Sequence, residues 1–219
     1  ETTLSTGINK KINDKSHAYI NWGQVFKAPS TDDLFYNNVN AGNFGNPNLK
    51  AETGETWTIG YETSLNNKTD FGINYFQSDL KDAIDWLGTD WYEHPQWGGY
   101  YTKYYAENID EQEKKGMELT LNHRLNDNLD LMASYTYVQV KNNIKNQGAI
   151  KDYNYMPNTY RLGINYHDGK WDSNIWLRAG SGGSTSLNTV YAYGGDKTGS
   201  SISYLDSDYL TIDLAVTYK

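Results

Sequence analysis

The stretch "YLTIDLAVTYK" (209–219) alternates strictly between apolar and polar side chains. The side chains on the first face are Leu210, Ile212, Leu214, Val216 and Tyr218. The side chains on the second face are Thr211, Asp213, Ala215 and Thr217. A period of two residues is typical of a β-strand that has one apolar and one polar face.

The same alternation recurs along the chain. It is found in "TWTIGYE" (56–62), "GMELTLN" (116–122), "NLDLMASYTY" (128–137) and "YRLGINY" (160–166). No stretch has a comparable helical period, so the sequence indicates an all-β protein. We predict an antiparallel meander of about nine strands.

The connections between these strands come in two sizes that alternate. The short polar turns are 11–16, 65–70, 125–130 and 167–171, and the long segments are 27–53, about 86–101, about 141–158 and about 180–207. Successive turns of a meander lie at opposite ends of its strands, so all short turns should share one end. This layout is typical of an outer-membrane β-barrel. A soluble, aromatic-rich β-sandwich that binds carbohydrate is the alternative, because sandwich strands also have one apolar face.

Composition excludes several kinds of function. The chain has no Cys, so it has no disulfide framework, thiolate zinc site or cysteine nucleophile. The net charge is −8 and no cluster of Lys and Arg is present, which argues against nucleic acid as a partner. No nucleophile motif, paired-carboxylate pocket or calcium-loop spacing is found. We therefore predict no enzyme activity, no catalytic residue, no metal and no cofactor.

Four short motifs carry a resemblance to a known family. They are "FKAP" (Phe26, Lys27, Ala28 and Pro29), "NPNLKAE" (Asn46, Pro47, Asn48, Leu49 and Glu52), the later set Asn108, Gly116 and Glu118, and "DYLTIDLAVTYK" (208–219). In this order they resemble the C-terminal half of the barrel of TonB-dependent outer-membrane receptors. We expect these residues to be structural, since Pro29 ends a strand and Pro47 biases Asn46 toward an extended backbone.

The resemblance implies an architecture and a partner set. Residues 1–219 would be a single region of a transmembrane barrel of about 22 strands, with the plug domain and the last hairpin outside it. The protein would lie in the outer membrane, in contact with its lipid. It would transport a scarce nutrient, using the TonB complex through the N-terminal part. The long segments would then be extracellular.

The ligand would be a ferric siderophore or another ferric chelate, cobalamin, or haem. Aromatic faces can grip a ring-rich ligand while polar groups orient it. The candidate ligand-binding residues in the first two long segments, 27–53 and about 86–101, are Asp32, Asp33, Tyr36, Asn43, Trp91, Tyr92, His94 and Trp97. Haem receptors of this family carry an iron-ligating His in the first of these loops. This loop has no His here, so haem is disfavoured.

Overall fold

Strands make up nearly all of the described structure. The computed structural model describes residues 2–94, 96, 98–144, 148–152, 155–189 and 201–219. In chain order the strands are β1 (Ser5–Asn13), β2 (Ser16–Lys27), β3 (Asn37–Asn38), β4 (Asn43–Phe44), β5 (Glu52–Asn66), β6 (Thr69–Glu93), β7 (Tyr100–Asn126), β8 (Leu129–Ile144), β9 (Gly148–Lys151), β10 (Asn158–His167), β11 (Trp171–Ser181), β12 (Ser184–Thr189), β13 (Ser201–Asp206) and β14 (Tyr209–Tyr218). Helix α1 spans Thr31–Phe35. Within the described ranges, no helix is long and apolar enough to cross a membrane.

Nine of these strands form one antiparallel meander. They pair in the order β1, β2, β5, β6, β7, β8, β10, β11 and β14. The short strands β3, β4 and β9 are attached to this sheet, whereas β12 and β13 pair with each other. The predicted meander of about nine strands is confirmed.

Asparagine side chains close the three tightest turns of the meander. Asn13, Asn66 and Asn126 each accept the backbone N–H two residues later, at 2.8, 2.8 and 2.9 Å. In the fourth short turn, Asp168 accepts the N–H of Lys170 at 2.9 Å. This local bond stabilises a tight turn. All four turns lie at one end of the sheet, the short-turn end, and the other connections lie at the opposite, long-connection end.

The strand register aligns apolar side chains across the sheet. One row crosses six neighbouring strands and contains Phe71, Leu121, Ala133, Leu162, Leu177 and Ile212. The adjacent row, on the opposite face, contains Gly72, Thr120, Ser134, Arg161, Arg178 and Thr211. The two-faced strands predicted from the alternation therefore share one apolar surface and one polar surface.

The apolar surface faces outward and is not covered by another layer. Leu214, for example, is 68% exposed, and Leu162 is 43% exposed. Only Ala83, Ala106, Ile109 and Val140 are buried apolar residues in the described part of the chain. A β-sandwich would bury its apolar faces against each other, so the soluble-sandwich alternative is wrong.

Aromatic residues lie toward both ends of this outward surface. Trp22 and Trp57 are neighbours toward the long-connection end, with ring centroids 6.2 Å apart. Trp171 and Tyr218 are neighbours at the short-turn end, with centroids 4.7 Å apart. Tyr and Trp favour membrane interfaces because one end of each side chain is apolar and the other polar.

All four segments predicted as long loops are partly strand. Residues 86–93 belong to β6 and 100–101 to β7, so the expectation of a loop over 86–101 is wrong for most of its length. The two strands pair as far as Glu93 and Tyr100, past a register shift between Gly88 and Asp90. Likewise β8 continues to Ile144, inside the segment predicted to be loop. The aromatic sequence that suggests a ligand loop also has high strand propensity.

Placing a charge on the outward surface should destabilise the barrel. Leu162→Arg should lower the free energy of unfolding by about 2–4 kcal/mol, the cost of Arg near the bilayer midplane. Thr136→Arg, on the polar face directly opposite Glu118, is the control and should have a much smaller effect. Urea unfolding of the full-length receptor in phospholipid bilayers measures both, and equal losses would contradict the assignment of faces.

Candidate functional site

A capped helical turn begins the segment 28–51 at the long-connection end. Ser30 caps α1 by accepting the N–H of Asp33 at 3.1 Å, and the Asp33 carboxylate accepts the N–H of Ser30 at 2.9 Å. This reciprocal arrangement is a capping box. The sequence signal for this capping box is Ser-x-x-Asp, at Ser30 and Asp33. Helix α1 was not among the elements predicted from the sequence.

The environment of Asp33 favours its ionised form. Burial opposes ionisation, but hydrogen bonds from Ser30 and from the Trp86 side chain, together with the charge of Lys27, hold the pKa of Asp33 below its ordinary 3.8. A carboxyl with a lowered folded-state pKa stabilises the fold above its unfolded pKa. This contribution is complete at neutral pH and is lost as the pH falls through the lowered pKa.

Segment 28–51 then adds a strand to the sheet. β3 and β4 form a small antiparallel pair, and β4 pairs in parallel with β7 through Asn43–Tyr104 and Phe44–Tyr105. The rings of Phe44 and Tyr105 stack with centroids 5.2 Å apart. This part of β7 lies above the last described pairing with β8, at Glu111. β4 therefore covers an edge of β7 that β8 does not reach.

Aromatic side chains fasten the same segment to the hairpin formed by β6 and β7. Tyr36 packs edge-on against Trp86, with centroids 6.1 Å apart. The Tyr92 hydroxyl donates to the carbonyl of Asn40 at 2.8 Å. Gly42 lies close to the Tyr92 ring and the Thr102 carbonyl. Its φ is +68°, a backbone conformation that favours glycine.

Asn108 holds the far end of the segment. Its side-chain oxygen accepts the N–H of Lys50 at 2.8 Å, and its amide group donates to the carbonyls of Lys50 and Asp82 at 3.1 and 2.6 Å. Asp82 has φ 52°, in the left-handed region. Asn108 thus links the "NPNL" motif to β6 and β7 through three hydrogen bonds.

Glu52 closes the base of the segment. It is 5% exposed and pairs with Lys27 at 2.9 Å. The same carboxylate oxygen accepts the backbone N–H of Ile84 at 3.0 Å. Since Lys27 ends the "FKAP" strand and Glu52 begins β5, this ion pair joins the two strands that flank the segment.

Gly116 and Glu118 lie on β7, nearer to the short-turn end than segment 28–51. A side chain at position 116 would collide with the carbonyl of Tyr137 and the ring of Phe76, so glycine is required for this close packing. Glu118 accepts a hydrogen bond from the Asn74 side chain at 3.3 Å. These contacts lie between strands, below segment 28–51.

A second polar cluster joins β6 and β8. Buried Asn142 donates to Asp85 and to Asp152, each at 3.3 Å, and accepts from Gln112 at 2.9 Å. Burial and the nearby charges of Asp152 and Asp85 raise the pKa of Tyr155. In the described part of the chain, no group of three or more His, Asp or Glu is placed to hold a metal ion.

The predicted ligand-binding residues lie around the same hairpin. They differ in whether their side chains are exposed or already engaged in contacts within the protein. Asp33 and Tyr92 are engaged in the contacts above. His94 is 6% exposed and accepts the N–H of Gln96 at its Nδ1, at 3.2 Å, near the hairpin tip. Asp32 is exposed, Tyr36 is 40% exposed, and Asn43 and Trp91 are half-buried. Trp97 lies outside the described residues.

Sequence reasoning missed Phe44, Tyr105 and Asp82. Phe44 stands in a Gly/Asn-rich stretch with no alternation, and its partner Tyr105 is on a distant strand. Asp82 contributes a backbone carbonyl, which no side-chain pattern can indicate.

Comparisons with known proteins point to one family. The family model "TonB dependent receptor-like, beta-barrel" matches residues 2–219. The vitamin B12 transporter BtuB of Vibrio vulnificus is 30% identical over 117 residues, which are 53% of this chain and 17% of that protein.

Solved structures show the same fold. The copper transporter OprC has a TM-score of 0.70 at 17% identity, covering 98% of this chain and 30% of that one. The siderophore receptor PirA from Acinetobacter baumannii has a TM-score of 0.69 at 19% identity, covering 99% of this chain and 34% of that one. This chain therefore spans about a third of the solved chains that it matches.

Removing the Asn108 side chain should release segment 28–51. Asn108→Ala leaves the Lys50 and Asp82 backbone groups without this partner, which should lower the free energy of local opening by about 1–3 kcal/mol. Asn108→Asp should not restore it, because a carboxylate cannot donate to two carbonyls. Limited proteolysis of the full-length receptor, with cleavage in 28–51 mapped by mass spectrometry, measures the change.

Asn40→Ala is a matched control for this measurement. Asn40 is exposed, and its described hydrogen bond uses the backbone carbonyl that alanine keeps. Cleavage should match wild type. Faster cleavage in this control than in Asn108→Ala would contradict the assigned role.

Neutralising one member of the Lys27–Glu52 pair should lower the free energy of unfolding more than neutralising both members. Lys27→Met leaves a buried carboxylate and should destabilise the receptor by about 1–2 kcal/mol, discounted because Lys27 is 58% exposed. Lys27→Met combined with Glu52→Gln should regain most of this loss, since glutamine still accepts from Ile84. A double-mutant cycle by chemical unfolding tests the coupling, and strictly additive losses would count against the pair.

Proposed function

Because the chain belongs to the TonB-dependent receptor family, we propose that it is the ligand-gathering part of an outer-membrane active transport receptor. The cargo is a scarce nutrient, either a ferric siderophore or cobalamin, and haem is less well supported. The family consists of transport receptors, and its members are β-barrel proteins of the outer membrane.

One observation carries the proposal: segment 28–51 and the upper parts of β6 and β7 are joined into a wall. We call this wall the vestibule, made of segment 28–51 and of residues 81–111 in β6 and β7. Its parts are joined through β4, Asn108 and the Tyr92–Asn40 hydrogen bond. A preorganised aromatic surface reduces the ordering cost of binding, which suits capture of a dilute ligand.

The sequence-predicted binding residues fall into two proposed roles. Asp32, Tyr36, Asn43, Trp91 and Trp97 are proposed to contact ligand. Asp33, Tyr92 and His94 are proposed to hold the vestibule in shape, because their side chains are engaged or buried. A structural role for His94 removes the nearest candidate for haem ligation at this end.

Residues 1–219 supply one region of a longer receptor in this proposal. The plug domain and the last hairpin lie outside it, and the TonB complex energises transport through the N-terminal part. The apolar surface contacts outer-membrane lipid, and the long-connection end is extracellular, as short periplasmic turns and long outer loops require.

Removing one half-buried aromatic ring of the vestibule should weaken ligand capture without unfolding the receptor. Trp91→Ala should raise the Kd for the cargo about tenfold, within the range of interface anchors. The measurement is binding of a panel of ferric chelates, cyanocobalamin and haem to the full-length receptor, followed by uptake into cells with and without an active TonB complex.

His94→Gln is the companion variant. It should leave haem affinity unchanged while increasing proteolysis at the hairpin tip. The transport proposal fails if no member of the panel binds, or if uptake proceeds equally without TonB.

A further inference from the structure

Negative charge is concentrated at the long-connection end. The segments 28–51, 81–111, 141–158 and 179–208 together contain thirteen Asp or Glu and seven Lys, a formal charge of −6 out of −8 for the chain. The three arginines of the chain, Arg124, Arg161 and Arg178, all lie outside these segments. A surface meant for a multiply charged anion normally offers Arg, whose fork of donors suits anionic oxygens.

Two of the three lysines of the vestibule lie beside carboxylates of the same chain, whereas the third, Lys81, is exposed and has no ion pair within the described ranges. Lys50 lies 3.6 Å from Asp82, and Lys103 lies 3.7 Å from Asp90. Just below them, Lys27 is bound to Glu52. An anionic ligand would have to compete with these carboxylates for Lys27, Lys50 and Lys103. These three lysines therefore offer the ligand little net attraction.

Carboxylates at the surface of the vestibule are, by contrast, available. Asp32 on α1, Glu93 at the upper end of β6 and Asp110 on β7 are all exposed. Within the described ranges, their side chains have no hydrogen bond or ion pair. These three carboxylates face solvent.

We propose that the vestibule selects a neutral or cationic cargo, such as a ferric tris-hydroxamate or a corrinoid, and rejects trianionic ferric tris-catecholates. This inference rests on the proposed transport function and specifies its substrate class. The aromatic surface binds ring and alkyl parts of the cargo, while the carboxylates repel anions. A surface of one sign also changes the local concentration of charged ligands and their association rates.

The expected size of the effect follows from Coulomb's law. At about 10 Å in water and physiological salt, each pair of unit charges changes binding by about 1.2-fold. Removing three carboxylates should therefore strengthen binding of a trianion about fivefold. It should weaken binding of a monocation about twofold.

The test uses the full-length receptor and four probes of known charge. These are a trianionic ferric tris-catecholate, a neutral ferric tris-hydroxamate, a ferric tris-hydroxamate with one ammonium group, and cyanocobalamin. Kd and association rate are measured for each at low and high ionic strength. We expect one of the last three probes to bind at least about tenfold more tightly than the first. High ionic strength screens the charges, so it should slow association of the cationic probe and speed any association of the trianion.

Two variants assign the effect to the named carboxylates. The variant Asp32→Asn, Glu93→Gln, Asp110→Asn removes three charges, and Asp32→Glu, Glu93→Asp, Asp110→Glu is the matched control that keeps them. Only the first should improve trianion binding. Asp127→Asn, in an exposed turn at the short-turn end, is a control for position and should leave all four affinities unchanged.

The possible outcomes separate this inference from the function on which it rests. Tightest binding to the tris-catecholate overturns the charge selection and leaves the transport function standing. The same holds if the charge-neutral and charge-keeping variants bind the trianion equally. Binding of none of the four probes, nor of haem, overturns both.

Discussion

The outward apolar surface is the constraint on which the rest of this structure depends. Burial of apolar area stabilises a protein only where something covers that area, and here the described sheet has almost no interior of its own. In the proposed receptor, membrane hydrocarbon covers it instead. Because hydrocarbon offers no hydrogen-bond partners, every backbone polar group within it must be paired in the strand ladder. Long antiparallel neighbours, tight Asn-closed turns at one end and apolar rows in register all follow from that requirement.

Beyond the hydrocarbon region the constraint changes. Water can form hydrogen bonds with the backbone groups of an unpaired strand edge, but it cannot hold that strand in place. β6 and β7 continue beyond the described pairing of β7 with β8, and segment 28–51 supplies the next strand. Motif residues at both ends of this segment act as clamps: Lys27 with Glu52 at its base, and Asn108 at Lys50. The same contacts that cover an edge also turn a long connection into a fixed surface.

Scaffold and binding surface therefore compete for the same residue types. Tyr, Trp and Asp suit ligand contact, yet Tyr92, Trp86 and Asp33 are largely used to hold the vestibule together. What remains for a cargo is a smaller set of exposed aromatic and carboxylate groups. Arginine is absent there, so the remaining surface has a definite electrostatic sign.

The sequence by itself determined the nine strands of the meander, their two faces, their order and the end at which the long connections lie. These features depend on local alternation and on turn residues, which act within a few positions. The capping box at Ser30 was equally local and could have been read. Only the tertiary structure decided that 86–93 continues a strand, that Phe44 stacks on Tyr105, and that Asn108 holds Lys50. Those outcomes depend on distant partners, such as Lys50 and Asn108, which are 58 residues apart. The same aromatic and polar side chains would be equally compatible with a free loop until a second segment packs against them.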